Sequence, residues 1–408
     1  MIFDDWIEQA YALGASDLHL EAGTPVIVRI RGELQSVGGI VTGDALLQVG
    51  QDLLGTDGWL QFKERGSADL STEIGGIRCR ANLFRTIRGI AVAVRLLSPG
   101  VKDLRACNLH PDFRRFIEAS SGLIIISGPT GSGKSTTLAA LIEEINATRA
   151  RNIVVLESPI EYVFANRQSF VRQREIPTHS PSFEQGIMDA LRENPDVLVI
   201  SEMRTPEVMR LTLNAAETGH LVLATMHSAT CTEALTRVCM SFPSDLQASV
   251  RAQLADCLVA VSCQRLEFLG AQRLRVPRCE ILLPTSGAKG TIRAGNFSQL
   301  ASVLQSGGEE GMWTFDRYQR WMDQAGDWVR PPAPPVGGPS RRPARPVSAK
   351  PALRVSEQTR AVSTTAAPAA ASASRSVLPA DEVIDVPAED MDLASLAELA
   401  KKVVERKP

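Results

Sequence analysis

The stretch LIIISGPTGSGKSTTLAALIEEI, residues 123–145, restricts what this chain can fold into more than any other part of it. An apolar run, Leu123 to Ser127, leads into Gly-x-x-x-x-Gly-Lys-Ser, Gly128 to Ser135, and the pattern that follows is helical. Glycines at Gly128, Gly131 and Gly133 let successive backbone N–H groups close around a phosphate, and the helix N-terminus adds its dipole. Lys134 is placed to reach the β- and γ-phosphates, and the Ser135 hydroxyl to ligand Mg²⁺. Thr130, Ser132 and Thr136 complete the phosphate-binding set. Strand, glycine loop and helix in that order predict a parallel α/β core that binds a nucleoside triphosphate with Mg²⁺.

Such a loop needs a second strand that delivers a carboxylate to the metal or to the attacking water. In NPDVLVISEMR, Val197 to Ile200 reads as a buried strand, and Glu202 follows its carboxyl end, where ligands of open α/β sheets bind. Glu202 is therefore the candidate for activating water, with Arg204 as a cation beside it. NIVVLESPIEY is a third strand ending in an acid, and Glu157 is placed like Glu202, to assist it. AAETGHLVLATMHS is the fourth; its apolar run, Leu221 to Thr225, is bracketed by two of the chain's five histidines. His227 emerges at the same carboxyl edge and is the candidate sensor of the γ-phosphate. His220 sits at the other end, after Thr218-Gly219, in support of the local geometry or of a subunit contact.

Outside this core the chain changes style twice. The first hundred residues read as α+β: an opening helical pattern, then alternating segments that turn at Arg31 to Glu33 and at Gly75-Gly76. After Trp328 a Pro-, Ala-, Ser- and Arg-rich segment cannot bury enough apolar surface to offset its ordering entropy and is predicted to be disordered. It ends in DMDLASLAELAKKVVERKP, whose leucines and valines fall near helical spacing, as in a short docking helix with a partner of its own. The predicted divisions are 1–100, a linker at 101–111, the core at 112–330, a disordered linker at 331–390 and the helix at 391–408.

Forty-four Lys and Arg stand against 46 Asp and Glu, so no basic excess marks a nucleic-acid partner and no direct one is expected. Seven cysteines without a C-x-x-C pair speak against a disulfide framework and a structural zinc site, as in a reducing compartment. The start, MIFDDWIEQAYALG, lacks the basic region of a signal peptide, and a cytoplasmic location is expected.

Taken together, GPTGSGKST, LESPIEY, PDVLVISEMR and AAETGHLVLATMHS resemble, in this order, the Walker A motif, Asp box, Walker B motif and His box of the secretion ATPases of type IV pili and type II/IV secretion systems, most closely the PilT-like ATPases. SDLHLEAGTP and RCRANLFRTIRGIAVAVR look like the first domain of that family. The resemblance covers about residues 15–321. It implies a PAS-like α+β domain followed by a RecA-like P-loop core, a homohexameric ring, ATP hydrolysis, and an inner-membrane platform protein as the partner that holds the ring peripherally at the inner membrane. It also implies that arginines of the first domain reach the phosphates: Arg78 and Arg95 as catalytic cations, Arg80 and Arg88 as further ligands.

The sequence departs from the family pattern in places. Ser158 follows Glu157 where a second acid is usual, Ser201 replaces a Gly, and Thr205 stands where the Walker B motif continues with Asp. GAKGTIRAGN keeps Ile292 and Arg293 of the helix associated with retraction but brings in Gly287, Gly290 and Gly295, each expected to cost about 1 kcal/mol relative to Ala inside a helix. Pilus retraction is the leading expectation. A motor of a conjugation or type IVB secretion apparatus, and an accessory PilU-like subunit, stay open beside it.

Overall fold

The computed structural model describes residues 2–30, 32–97 and 100–330, so the disordered linker expected at 331–390 and the helix expected at 391–408 lie outside the described residues. In the first part of the chain six strands pair antiparallel: β1 Asp17–Glu21, β2 Pro25–Ile30, β3 Glu33–Ile40, β4 Ser67–Ile74, β5 Ile77–Thr86 and β6 Gly89–Leu96. Their order is β3-β2-β1-β6-β5-β4. Alternation decides which face is inside: Leu18, Leu20, Val28, Cys79, Ala81, Leu83, Val92 and Val94 are buried, whereas Arg80 and Arg95 on the intervening positions are exposed. Helices Ile2–Ala12 and Gly43–Arg65 cover the apolar face through Ile7, Leu46, Val49 and Phe62. The second of these helices was not anticipated; its sequence is glycine-rich, and it breaks at Gly55, whose φ is 64°. The β4–β5 turn falls where expected, with Gly75 and Gly76 at φ 57° and 79°, the left-handed pair that a two-residue hairpin link requires.

The core is a seven-stranded sheet in the order β13-β12-β7-β11-β10-β8-β9. Its strands are β7 Gly122–Ser127, β8 Asn152–Glu157, β9 Phe170–Glu175, β10 Val197–Ile200, β11 Leu221–Met226, β12 Leu258–Leu269 and β13 Leu274–Leu282. All neighbours run parallel except β12 and β13, which form a hairpin. Helix Lys134–Thr148 packs on one face and Phe183–Ala190, Pro206–Glu217 and Cys231–Met240 on the other, so β7, β10 and β11 are buried along their whole length and read as continuous apolar runs. The parallel arrangement places the carboxyl ends of β7, β8, β10 and β11 on one edge.

Two expectations change in the structure. Leu104 and Leu109, assigned to the linker, are buried with Phe113 and Phe116 in the core's own hydrophobic cluster. The glycine-rich stretch near the end forms a helix all the same, Ser286–Ala294: Thr285 caps it by accepting from Ala288 N at 3.3 Å, and Gly295, at φ 77°, is its left-handed C-cap and not an interior residue. Burial of Ala288 and Ile292 and the Arg293–Asp256 ion pair offset the cost of Gly287 and Gly290.

Candidate nucleotide site

The glycine loop leaves β7 under tight constraint. At Gly128, φ is 146°, and a Cβ there would lie 2.4 Å from Gln264 O and 2.5 Å from Ser132 Oγ, so no other residue fits without moving the backbone. Gln264 of β12 braces the loop, its Nε2 donating to Ser132 O at 2.7 Å. Gly133, at φ 89°, forms the N-cap of helix Lys134–Thr148. Lys134 Nζ donates to Gly128 O at 2.9 Å and Pro129 O at 3.0 Å. Burial lowers its pKa, against the pull of Glu202 and Glu161.

Glu202, just past β10, meets two side chains: its Oε2 is 2.7 Å from Arg204 Nη2, and its Oε1 is 3.2 Å from His227 Nε2. Burial raises its pKa, but the Arg204 hydrogen bond and the charges of Arg204, His227 and Lys134 outweigh this and hold it below the ordinary glutamate value. Glu157, at the end of β8, is buried and its pKa is pushed up to about 7 by loss of solvent, with a hydrogen bond from Gln173 Nε2 at 3.1 Å pulling the other way. One carboxylate is thus ionised throughout the physiological range, while the other titrates within it.

A cleft of about 530 Å³ brings together Thr130, Gly131, Gly133, Lys134, Ser135, Thr136, Glu157, Glu202, Arg204 and His227 from the core, with Arg80 and Arg95 from the antiparallel sheet. Gly128 and Ser132, in the same loop, do not line the cleft, and Ser132 Oγ is buried without a partner. Arg80 and Arg95 face each other across β5 and β6, each within 4 Å of an acid, Asp69 and Asp17 respectively.

Three expected site residues lie elsewhere. Arg78 turns to the loop after β8, where its Nε donates to Ile160 O at 3.2 Å and its Nη2 lies 3.7 Å from Glu175 Oε2. Arg88 sits in the turn between β5 and β6, outside the cleft lining. His220 precedes β11 with Nδ1 3.0 Å from Ala215 O; the six residues of β11, extended at ~3.3 Å each, separate it from His227, so it occupies the opposite edge of the sheet. Thr205 supplies no carboxylate but caps helix Pro206–Glu217, accepting from Val208 N at 3.2 Å and donating to Glu184 Oε1 at 2.9 Å.

The sequence reading passed over Tyr162, Gln173 and Gln264. Tyr162 Oη lies 2.9 Å from Thr136 Oγ1 and lines the cleft. It belongs to the LESPIEY motif and was legible as part of it, whereas Gln173 and Gln264 lie in strands whose pairing with β8 and β7 no local pattern announces.

The model of the family described as type II/IV secretion system protein matches residues 1–288. The chain belongs to this family. Within it, the chain is 36% identical over 306 residues to the type IV pilus retraction ATPase PilT of Pseudomonas aeruginosa, covering 74% of this chain and 88% of the relative. It is 39% identical over 306 residues to the uncharacterized protein YggR of Escherichia coli, covering 74% of this chain and 92% of that one. Among solved structures, the pilus retraction motor PilT with bound ADP superimposes with a TM-score of 0.70 at 34% identity, covering 79% of this chain and 97% of the other. As a type II/IV secretion family member, the chain therefore shares its described fold, first domain and core together, with a PilT.

Proposed function

We propose that this chain is a motor ATPase of a type IV pilus or related secretion machine, hydrolysing ATP to ADP and phosphate. The observation that carries the reading is the convergence of Lys134 and Ser135, at the start of the helix after the glycine loop, with Glu157 and Glu202, from the ends of two parallel strands, on one cleft. The loop fits a nucleotide: its close approach at Gly128 and the buried Ser132 hydroxyl form a cradle of N–H and O–H donors beside a lysine. Among the described residues no cluster of three His, Cys, Asp or Glu could hold a metal alone. A Mg²⁺ ion fits here as one held by the Ser135 hydroxyl together with the substrate's phosphates. When bound, it would neutralise charge on the transferring phosphoryl group.

Lys134 and the loop amides bind the phosphates. Glu202 orients and deprotonates the attacking water, kept ionised by Arg204 and by His227, which senses the γ-phosphate from the same edge. Glu157 adds a second carboxylate whose charge depends on pH, and Arg80, Arg95 and Arg204 stabilise charge that develops in the transition state.

At the level of the machine we read the chain as a homohexamer seated on an inner-membrane platform protein and driving pilus retraction. The support is the similarity to PilT and the intact helix Ser286–Ala294. No helix among the described residues is long and apolar enough to cross a membrane, which fits a peripheral seat. Two measurements test the reading together. Purified full-length chain is expected to hydrolyse ATP and to run as a six-subunit particle with nucleotide. A clean deletion in the host is expected to leave excess surface pilin; unchanged pilin alongside intact ATPase activity would reassign the motor to a secretion or conjugation apparatus.

A further inference from the structure

The side chain of Gln173 lies against Glu157 at the sheet's edge. Strand β9 pairs parallel to β8 with Gln173 opposite Val155, two residues before Glu157, so both polar side chains emerge on the same face of the sheet. Every hydrogen-bonding direction of interest on the carboxamide is used. Nε2 donates to Glu157 Oε1 at 3.1 Å and to Tyr162 O at 2.7 Å, and Oε1 accepts from Phe164 N at 3.0 Å. Two residues further along β9, Glu175 Oε2 accepts from Ile160 N at 3.0 Å, and Arg78 Nε donates from the antiparallel sheet to the carbonyl of the same residue. The loop after β8 is thus pinned at Ile160, Tyr162 and Phe164, and Tyr162 passes the connection on to Thr136 of the phosphate-binding helix.

We propose that Gln173 is a positioning residue for the hydrolytic site, holding the Glu157 carboxylate in the cleft and tying its orientation to the loop that carries Tyr162. The inference rests on the reading of this cleft as an ATP-hydrolysing site in which ionised Glu157 assists. A carboxamide suits the place because its N–H favours the ionised acid without adding a charge, while its carbonyl and second N–H fix the loop. The charged and titratable groups around Glu157 are Glu161 and Tyr162 in its own loop, Glu175 on β9, Glu202 past β10, Lys134 at the phosphate-binding helix and Arg78 from the antiparallel sheet. Burial and the charge of Glu161 oppose ionisation of Glu157; the hydrogen bonds from Gln173 and from the Glu161 backbone N–H, and the charge of Arg78, favour it.

The test is the pH dependence of ATP turnover by the full chain and by two variants, Gln173→Leu and Gln173→Glu. Removing the donor raises the pKa of Glu157, so the acid limb of kcat moves to higher pH, further for Gln173→Glu because it adds a like charge. For Gln173→Leu, turnover near pH 7 is expected to fall about 5- to 10-fold and to return within about two-fold of the parent near pH 9, with KM for ATP changed less than about two-fold. Gln173→Glu keeps the bond from Phe164 N and so separates loss of the loop from loss of the donor. In a Glu157→Gln background neither variant should move the limb. A loss equal at every pH, or an unmoved limb in both variants of an active parent, overturns the role of Gln173 alone. A parent chain that turns over no ATP overturns the functional reading on which the role rests.

Discussion

Glu202 and Glu157 lie at the carboxyl ends of adjacent parallel strands in which Ile200 is in register with Leu156, yet their surroundings push them apart. Glu202 faces Arg204, His227 and Lys134 and is held ionised. Glu157 is buried, takes a neutral amide as its hydrogen-bond partner and titrates at about 7. Position at a strand end brings an acid to the phosphates; what lies beside it decides which task it performs. Two carboxylates whose pKa values are driven apart by environment divide the work of an active site, one always available as base and one sensitive to conditions.

The largest effect is expected at the phosphate-binding loop, which both acids face. Lys134→Ala should weaken nucleotide binding in a titration and lower turnover by roughly 10³-fold or more, since it removes the cation that faces the phosphates. Near-normal turnover there would show that neither acid serves phosphoryl transfer.

Glu157→Gln separates the two acids. Turnover near pH 8 should fall by about 10- to 100-fold, and the acid limb near neutral pH should vanish from the rate profile, leaving the response to Glu202 alone. The same substitution should strengthen the fold at high pH. A group whose folded pKa lies above its unfolded value contributes stability that is present below about pH 4.5 and lost as pH rises through about 7, so the buried charge costs stability above neutrality. Urea unfolding should show Glu157→Gln more stable than the parent at pH 8, by on the order of 2 kcal/mol, and the difference should shrink towards pH 5. The smallest effect belongs to Arg204→Ala, which loosens the hold on Glu202 and should lower turnover near pH 7 by about two- to five-fold while shifting its dependence on pH only slightly.

The contrast also marks what could be read without coordinates. The glycine loop, the strand ends at Glu157, Glu202 and His227, and the antiparallel first part were legible because each rests on a local pattern: apolar run, turn residues, acid at the carboxyl end. The difference between the two acids was not legible. It depends on how deeply long-range packing buries Glu157, with Gln173, seated on a strand that meets β8 only through long-range pairing, pulling the other way, and on Arg204 curling back to Glu202. Arg78 shows the same limit, since its strand and alternation were clear while the carbonyl it reaches, Ile160 O, lies 82 residues away in sequence. Gly287 and Gly290 carry the local cost expected of glycine inside a helix; capping by Thr285 and Gly295 and packing of Ile292 outweigh it.

The central claim is that Glu202 is the base that activates water, and steady-state ATP turnover by Glu202→Gln, with nucleotide binding measured on the same sample, tests it most directly. The account predicts ATP binding within about two-fold of the parent and turnover lower by about 10²- to 10⁴-fold. Turnover close to that of the parent, with binding intact, would contradict it and move the base to Glu157.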